Sequence, residues 1–173
     1  MLFRSEDLRT VTLADSGHLD LHLQSVRLKD EILKLAAVLE QDLKQEGFEL
    51  KLDLSDVTVQ VDPMRIRQAL LALVTNARRY AHRGLIEISL GVESNQVIMR
   101  VADEGPGLAP DIATSAFEPF RRGGQSGSLE KGGNGLGLSV VRAIVDAHGG
   151  TVRYARSGTG GAMFEIALGE AVS

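Results

Sequence analysis

The chain has 173 residues, 43% of them hydrophobic and 24% charged, enough for one well-buried globular domain and short for two. Its net charge of -4 gives no general attraction to nucleic acid or to an anionic membrane, so any anion site must be built locally. There is no cysteine, which excludes disulfides, thiolate metal sites and a cysteine nucleophile, and neither a membrane-spanning apolar run nor a signal-peptide core is present.

In chain order, residues 5–16 read as the tail of a helix, with Leu8 and Val11 on successive turns and Gly17 as its stop. A helix this short is expected to bury little, and its abrupt start suggests a truncated longer element. Over residues 28–46, Ile32, Leu35, Ala36, Leu39 and Leu43 recur at helical spacing until Gly47. Phe48, Leu50, Leu52 and Leu54 then alternate as a strand. Asp62-Pro63 opens a second long helix whose apolar face is Ile66, Ala69, Leu70, Leu73, Val74 and Ala77. Ile86, Ile88 and Leu90, a Ser94-Asn95 turn and residues 96–102 predict a hairpin. Residues 108–132 are glycine-rich and weakly patterned, and a loop of that length in a compact domain is usually functional. Leu138, Val141, Ile144 and Val145 mark another helix, closed by His148, Gly149 and Gly150, and Thr151–Ala155 and Ala162–Leu168 read as a last hairpin. This order predicts an α+β fold: a two-layer sandwich with a mixed, mostly antiparallel sheet covered on one face by helices.

Three groups of residues carry chemistry. On the helix after Pro63, Ala72, Asn76, Arg79 and Tyr80 share one stripe beside the apolar face. An asparagine oxygen is a hard ligand suited to Mg²⁺, and an arginine suits phosphate oxygens. Alone, the stripe reads more readily as the solvated edge of an amphipathic helix. At a strand end, Asp103-Glu104-Gly105-Pro106-Gly107 offers a carboxylate to an exocyclic amine, and glycines that let backbone pass close to a flat ring, or equally a plain Pro-Gly turn. Gly132-Gly133-Asn134-Gly135-Leu136-Gly137-Leu138 runs into a helix and so presents free N–H groups for a phosphate. It fits neither a Walker loop nor a Rossmann turn, and a hinge is its ordinary reading.

The three together, in this order, resemble the superfamily of gyrase, heat-shock chaperone, histidine kinase and mismatch-repair ATPases (GHKL), over roughly residues 20–168. The Asp62–Leu70 and Asn76–Tyr80 stretches are similar to the asparagine box of histidine kinases, and Phe117-Glu118-Pro119-Phe120-Arg121 to their phenylalanine box. Residues 7–17 look like the end of their dimerisation hairpin. The resemblance implies the Bergerat ATP-binding fold, with residues 1–19 as hairpin remnant and linker and 20–173 as the catalytic domain. It implies ATP and Mg²⁺ as cofactors, with Asn76 on the metal, Arg79 facing the phosphates and Tyr80 near the nucleotide. It implies that Asp103 accepts from the adenine amine in a pocket shaped by Gly105 and Gly107. It further implies an ATP lid at about 108–132, with Gly133, Gly135, Leu136, Gly137 and Leu138 closing on the phosphates. Lys131, and with it Arg121 and Arg122, would supply charge, although a solvated loop accounts for them as well.

Two positions depart from the family pattern. Ala72 stands where histidine kinases usually carry a second asparagine and the hydrolysing relatives a glutamate, which disfavours ATP hydrolysis. Ala162 replaces a threonine in Thr159-Gly160-Gly161-Ala162-Met163-Phe164. None of the four histidines, His18, His22, His82 and His148, has the context of a phosphoacceptor: His148 reads as a helix cap, the others as solvated or loop residues. The implied partners are therefore a phosphoacceptor dimerisation domain elsewhere and, indirectly, a response regulator, with no nucleic acid and no direct membrane contact. The domain alone is expected to be a monomer on the cytoplasmic side of a membrane-anchored parent. A nucleotide-binding regulatory module without catalysis, and a serine kinase or ATPase of the same superfamily, are the alternatives.

Overall fold

The computed structural model describes residues 2–119 and 137–172. Its elements are α1 (Leu2–Asp15), β1 (Gln24–Arg27), α2 (Leu28–Gln45), β2 (Phe48–Leu54), β3 (Thr58–Val61), α3 (Pro63–Ala81), β4 (Gly84–Glu93), β5 (Gln96–Asp103), α4 (Pro110–Ala113), α5 (Gly137–Ala147), β6 (Thr151–Arg156) and β7 (Ala162–Glu170). Five strands form one sheet in the order β2-β4-β5-β7-β6. β2 runs parallel to β4, and the other neighbours are antiparallel. The helices α2, α3 and α5 cover one face, giving the expected α+β two-layer architecture.

Strand alternation decides which side chains meet the helices. Ile86, Ile88 and Leu90 of β4, Met99 and Val101 of β5, and Phe164, Ile166 and Leu168 of β7 point inward and join Ile66, Leu70, Leu73 and Val74 of α3 in one core. The outward face is polar and paired across strands: Lys51 donates to Glu87 at 3.0 Å, and Arg100 bridges Glu93 at 2.6 Å and Glu165 at 2.7 Å. The β4–β5 connection is a two-residue turn with φ of 48° at Ser94 and 66° at Asn95, the left-handed pair that suits the twist of a tight hairpin.

Three features differ from the sequence expectations. β1 and β3 form a second, two-stranded antiparallel sheet that the sequence reading left unassigned. Val59 and Val61 do alternate with polar neighbours, but β3 has only four residues, too few for its period to stand out. Within the expected loop, Pro110–Ala113 makes one helical turn. Finally, α1 does more than was expected of a short helix. It lies against α5, buries Val11 in the common core, and sinks Thr10 to 1% exposure. There, Arg65 of α3 donates to the Thr10 hydroxyl at 3.0 Å, and Gln68 donates to Thr10 and to Asp7, both at 3.1 Å. Burial pushes the Asp7 carboxyl above its ordinary range, with the Gln68 bond opposing that shift.

The start of α3 is fixed by Asp62, which is 4% exposed. Its Oδ1 accepts from the N–H groups of Met64 at 3.0 Å and Arg65 at 3.2 Å, capping the helix that Pro63 begins. Its Oδ2 accepts from His22 N at 3.0 Å, and its own N–H donates to His148 Nε2 at 3.0 Å. His148 Nδ1 lies 2.7 Å from the Ile144 carbonyl, so the ring is neutral with its proton on Nδ1, and the C-terminal end of α5 is tied to the N-terminal end of α3. Burial alone would raise the Asp62 pKa, but the three backbone donors and Arg65 outweigh it and hold the carboxyl below the ordinary 3.8. A depressed carboxylate pKa contributes stability that is present above the unfolded value and lost as pH falls through the folded one. Asp62→Ala is accordingly expected to lower the unfolding free energy by about 1–2 kcal/mol in urea at neutral pH. The gap to wild type should shrink as the buffer is taken below 3.8, and a gap that does not depend on pH would contradict this account.

Candidate functional site

Asp103 is the last residue of β5, and alternation places it on the same face as Met99 and Val101, toward the helices. It is 6% exposed. Its Oδ1 accepts from Gly105 N at 2.8 Å and from Ala162 N at 3.2 Å, while Oδ2 has no partner among the described residues. Burial pushes the carboxyl above its ordinary range, and the two backbone donors pull against that shift. One oxygen is thus tied into the fold and the other is left to accept.

Two glycines allow this packing. A Cβ on Gly105 would sit 2.9 Å from the Cα of Ala81, the last residue of α3, so only bare backbone lets the turn after Asp103 abut the end of that helix. A Cβ on Gly161 would lie 1.9 Å from the Asp103 carbonyl oxygen. The β6–β7 turn therefore closes directly on the strand end, where Ser157 Oγ also donates to the Asp103 carbonyl at 3.0 Å. Gly107 has φ of +69°, and glycine carries that conformation without strain.

The helix that carries the stripe ends at the same place, with Ala81 against Gly105. Asn76, Arg79 and Tyr80 are half-buried beside the buried Leu73, Val74 and Ala77, and none of the three side chains has a hydrogen-bond partner among the described residues. Arg78 is different: its Nε donates to Glu46 at 2.9 Å beyond the end of α2, and this pairing makes it part of the scaffold. Among the described residues no group of three histidine, cysteine, aspartate or glutamate side chains is arranged to hold a metal. Of the stripe, the Asn76 carboxamide oxygen is the group whose chemistry suits a hard cation that keeps ligand oxygens and water.

Of the glycine run, Gly137 and Leu138 open α5 next to α3, and Leu138 packs on the core. Lys131, Gly133, Gly135 and Leu136, with Arg121 and Arg122, lie outside the described residues. Phe117 of the phenylalanine box sits edge-on to Phe164, ring centroids 6.1 Å apart, and Phe164 meets Tyr154 at 5.6 Å. His18, His22 and His82 are exposed, and both ring nitrogens of His148 are engaged within the scaffold.

Sequence reasoning overlooked Glu104, Tyr154, Arg156 and Ser157. Glu104 accepts from Leu85 N at 2.8 Å and so steadies the start of β4. For β6 a signal existed: period two puts Val152, Tyr154 and Arg156 on one face, and an arginine on a face that otherwise packs inward calls for an explanation. From the close approach at the strand end, Gly161→Ala is expected to cost about 3 kcal/mol or more in urea unfolding, because backbone rather than a flexible side chain must yield. Gly158→Ala, in open space three residues away, should stay within about 0.5 kcal/mol of wild type. Equal effects at the two positions would refute the packing argument.

The profile of the family described as histidine kinase-, DNA gyrase B-, and HSP90-like ATPase matches residues 61–171. Sensor protein KdpD of Clostridium acetobutylicum is 30% identical over 164 residues, which is 93% of this chain but 18% of that protein, so the chain spans less than a fifth of this curated relative. Among solved structures, the Acinetobacter baumannii histidine kinase AdeS superposes with a TM-score of 0.80 at 35% identity, over 96% of this chain and 76% of that one. Full-length ShkA in complex with AMPPNP superposes with a TM-score of 0.83 at 26% identity, over 96% of this chain and 35% of that one. The profile match begins at the cap of α3 and runs through β7, including every described part of the site, and the chain belongs to the histidine kinase-, DNA gyrase B- and HSP90-like ATPase family, as an ATP-binding catalytic domain of its histidine kinase branch.

Proposed function

We propose that this domain binds Mg-ATP between α3 and the turn after β5, and donates the γ-phosphate to a histidine on a phosphoacceptor dimerisation domain outside this chain. The observation that carries the reading is the free carboxylate oxygen of Asp103, held by a turn that abuts the end of the helix bearing Asn76, Arg79 and Tyr80. Asp103 Oδ2 accepts from the exocyclic amine of adenine, and the bare backbone of Gly105 and Gly107 admits the flat base. Arg79 neutralises phosphate oxygens, Tyr80 packs near the nucleotide, and residues 108–132 act as the lid. Lys131, Gly133, Gly135, Leu136, Gly137 and Leu138 close on the phosphates. Magnesium carried by the phosphates would take the Asn76 carboxamide oxygen and neutralise charge on the transferring group.

The chain's own residues position and neutralise; the nucleophile comes from elsewhere. The acceptor imidazole attacks the γ-phosphorus, its bond to ADP breaks, and the phosphoryl group passes onward to a response regulator. Ala72 offers no group to activate water, which favours transfer over hydrolysis. Residues 1–19 serve as the end of the dimerisation hairpin and its linker, packed on α5 through Val11, and 20–173 form the catalytic unit. On this reading the domain works on the cytoplasmic side, where ATP is available. No helix among the described residues is long and apolar enough to cross a membrane.

Titration with a fluorescent ATP analogue and Mg²⁺ tests the binding half. Asp103→Asn presents an amide N–H to the adenine amine and is expected to weaken binding by roughly a hundredfold, the cost of replacing a charge-assisted bond by opposed donors. A carboxylate whose pKa is raised in the folded state costs stability above its unfolded value. The same variant should therefore melt no lower than wild type at pH 7. Nucleotide binding by wild type should also fall on acidification while the pH is still above 3.8. Radiolabelled ATP with a cognate phosphoacceptor domain in trans tests the other half: label on histidine is expected, and bound nucleotide without transfer would favour a regulatory module.

A further inference from the structure

The segment that follows Asp103 raises a question of support. Among the described residues, Pro106, Gly107 and Leu108 make no hydrogen bond to any other backbone group. Their partners are side chains of β6. Tyr154 Oη accepts from Leu108 N at 2.8 Å. Arg156 Nη1 donates to the Pro106 carbonyl at 3.2 Å and to the Gly160 carbonyl at 2.9 Å, and Nη2 approaches the Leu108 carbonyl at 3.5 Å. A Cβ on Gly107 would lie 2.9 Å from Arg156 Nη1 and 3.0 Å from Tyr154 Oη, so the two side chains press directly against this backbone. The Tyr154 ring is itself set by Phe164. Arg156 also spans from this segment to the β6–β7 turn, whose Ser157 and Gly161 close on Asp103.

We propose that Tyr154 and Arg156 are positioning residues for nucleotide binding: acting through the Pro106–Leu108 backbone, they set where the base-facing turn stands relative to Asp103. The inference rests on the functional reading above, since it is the adenine pocket that the turn would shape. Neither residue touches nucleotide in this account. Their effect arises because a turn without backbone partners samples other positions once its side-chain anchors are gone, and ordering it again on binding costs affinity. The ring of Tyr154 contributes packing and its hydroxyl contributes the anchor, so Tyr154→Phe removes the second while keeping the first. Arg156→Lys keeps a cation able to reach a carbonyl, whereas Arg156→Ala keeps nothing.

The experiment compares wild type, Tyr154→Phe, Arg156→Ala and Arg156→Lys for binding of a fluorescent ATP analogue with Mg²⁺, and for melting temperature without nucleotide. Tyr154→Phe and Arg156→Ala are each expected to raise the dissociation constant roughly tenfold, the effect of losing one or two anchoring bonds. Arg156→Lys should stay within about threefold of wild type, with all four proteins melting within about 4 °C of one another. Phenylalanine and alanine variants that bind as tightly as wild type would overturn the inference while leaving the functional reading intact. A loss of affinity matched by a falling melting temperature, with no rescue by lysine, would overturn it too, by showing a merely structural role. Wild type that binds no nucleotide would remove the functional reading and this inference together.

Discussion

The site depends on a single carboxylate oxygen. Asp103 Oδ1 takes N–H groups from Gly105, two residues on, and from Ala162, on the neighbouring strand. Those bonds bring three chain segments to one point: the end of β5, the start of β7, and through Gly105 the last turn of α3. Because Oδ1 is occupied by the fold, the acceptor capacity of the carboxylate toward a ligand lies in Oδ2. Burial raises the cost of its charge, and the two N–H donors offset part of it. Positioning and acceptance are divided between two atoms of one side chain, so neither requires the other to move.

Around that point, stability comes from apolar layers and orientation from a few polar struts. Buried Ile66, Leu70, Leu73 and Val74 hold α3 on the sheet, but slippage along the sheet is opposed by directional bonds. Asp62 caps α3 and receives its neighbour through His148, so α3 and α5 are joined at one end as well as packed side by side. At the other end, Glu46 holds Arg78 and the glycine turn meets Ala81. A helix restrained at both ends presents Asn76 and Arg79 in a fixed orientation. For the phosphoryl transfer proposed above, whose catalysis would be positioning and charge neutralisation, that restraint would be the contribution of the scaffold.

What the sequence disclosed follows from period and length. The long helices and strands were legible because α2, α3, β4 and β7 repeat their apolar residues over several turns or alternations. β1 and β3 escaped because four residues hold too few repeats, and α4 because one turn has no face. Asn76, Arg79 and Asp103 stand out in the sequence only through the order of the three motifs, since each stretch alone reads as readily as an amphipathic edge or a plain turn. The supports of the site do not stand out even so. Tyr154 and Arg156 lie roughly fifty residues from the turn they hold; period two marks Arg156 as a residue in want of a partner, but the identity of that partner is created only by sheet pairing. Arg78 and Arg79 are adjacent and chemically alike, and the position of Glu46 separates the scaffold residue from the one whose side chain has no partner among the described residues.

The same geometry bears on the two alanines that depart from the family pattern. At position 162 the interaction with Asp103 is made by the backbone N–H, which every residue except proline supplies, so exchange of the side chain leaves the tether in place. Position 72 is one turn before Asn76 on the same stripe, and alanine there removes a polar group without altering the cap, the core face or the partnerless carboxamide. The two substitutions thus fall on the periphery of the arrangement and not on the bonds that define it. A hydroxyl and a carboxamide or carboxylate are missing relative to the family pattern, but the tether of Asp103 Oδ1 and the cap of α3, on which the proposed nucleotide site depends, are unaffected. On the proposed function, loss of a group that would activate water, with retention of the groups proposed to position ATP, is the combination suited to passing a phosphoryl group to another protein and ill suited to spending it on hydrolysis.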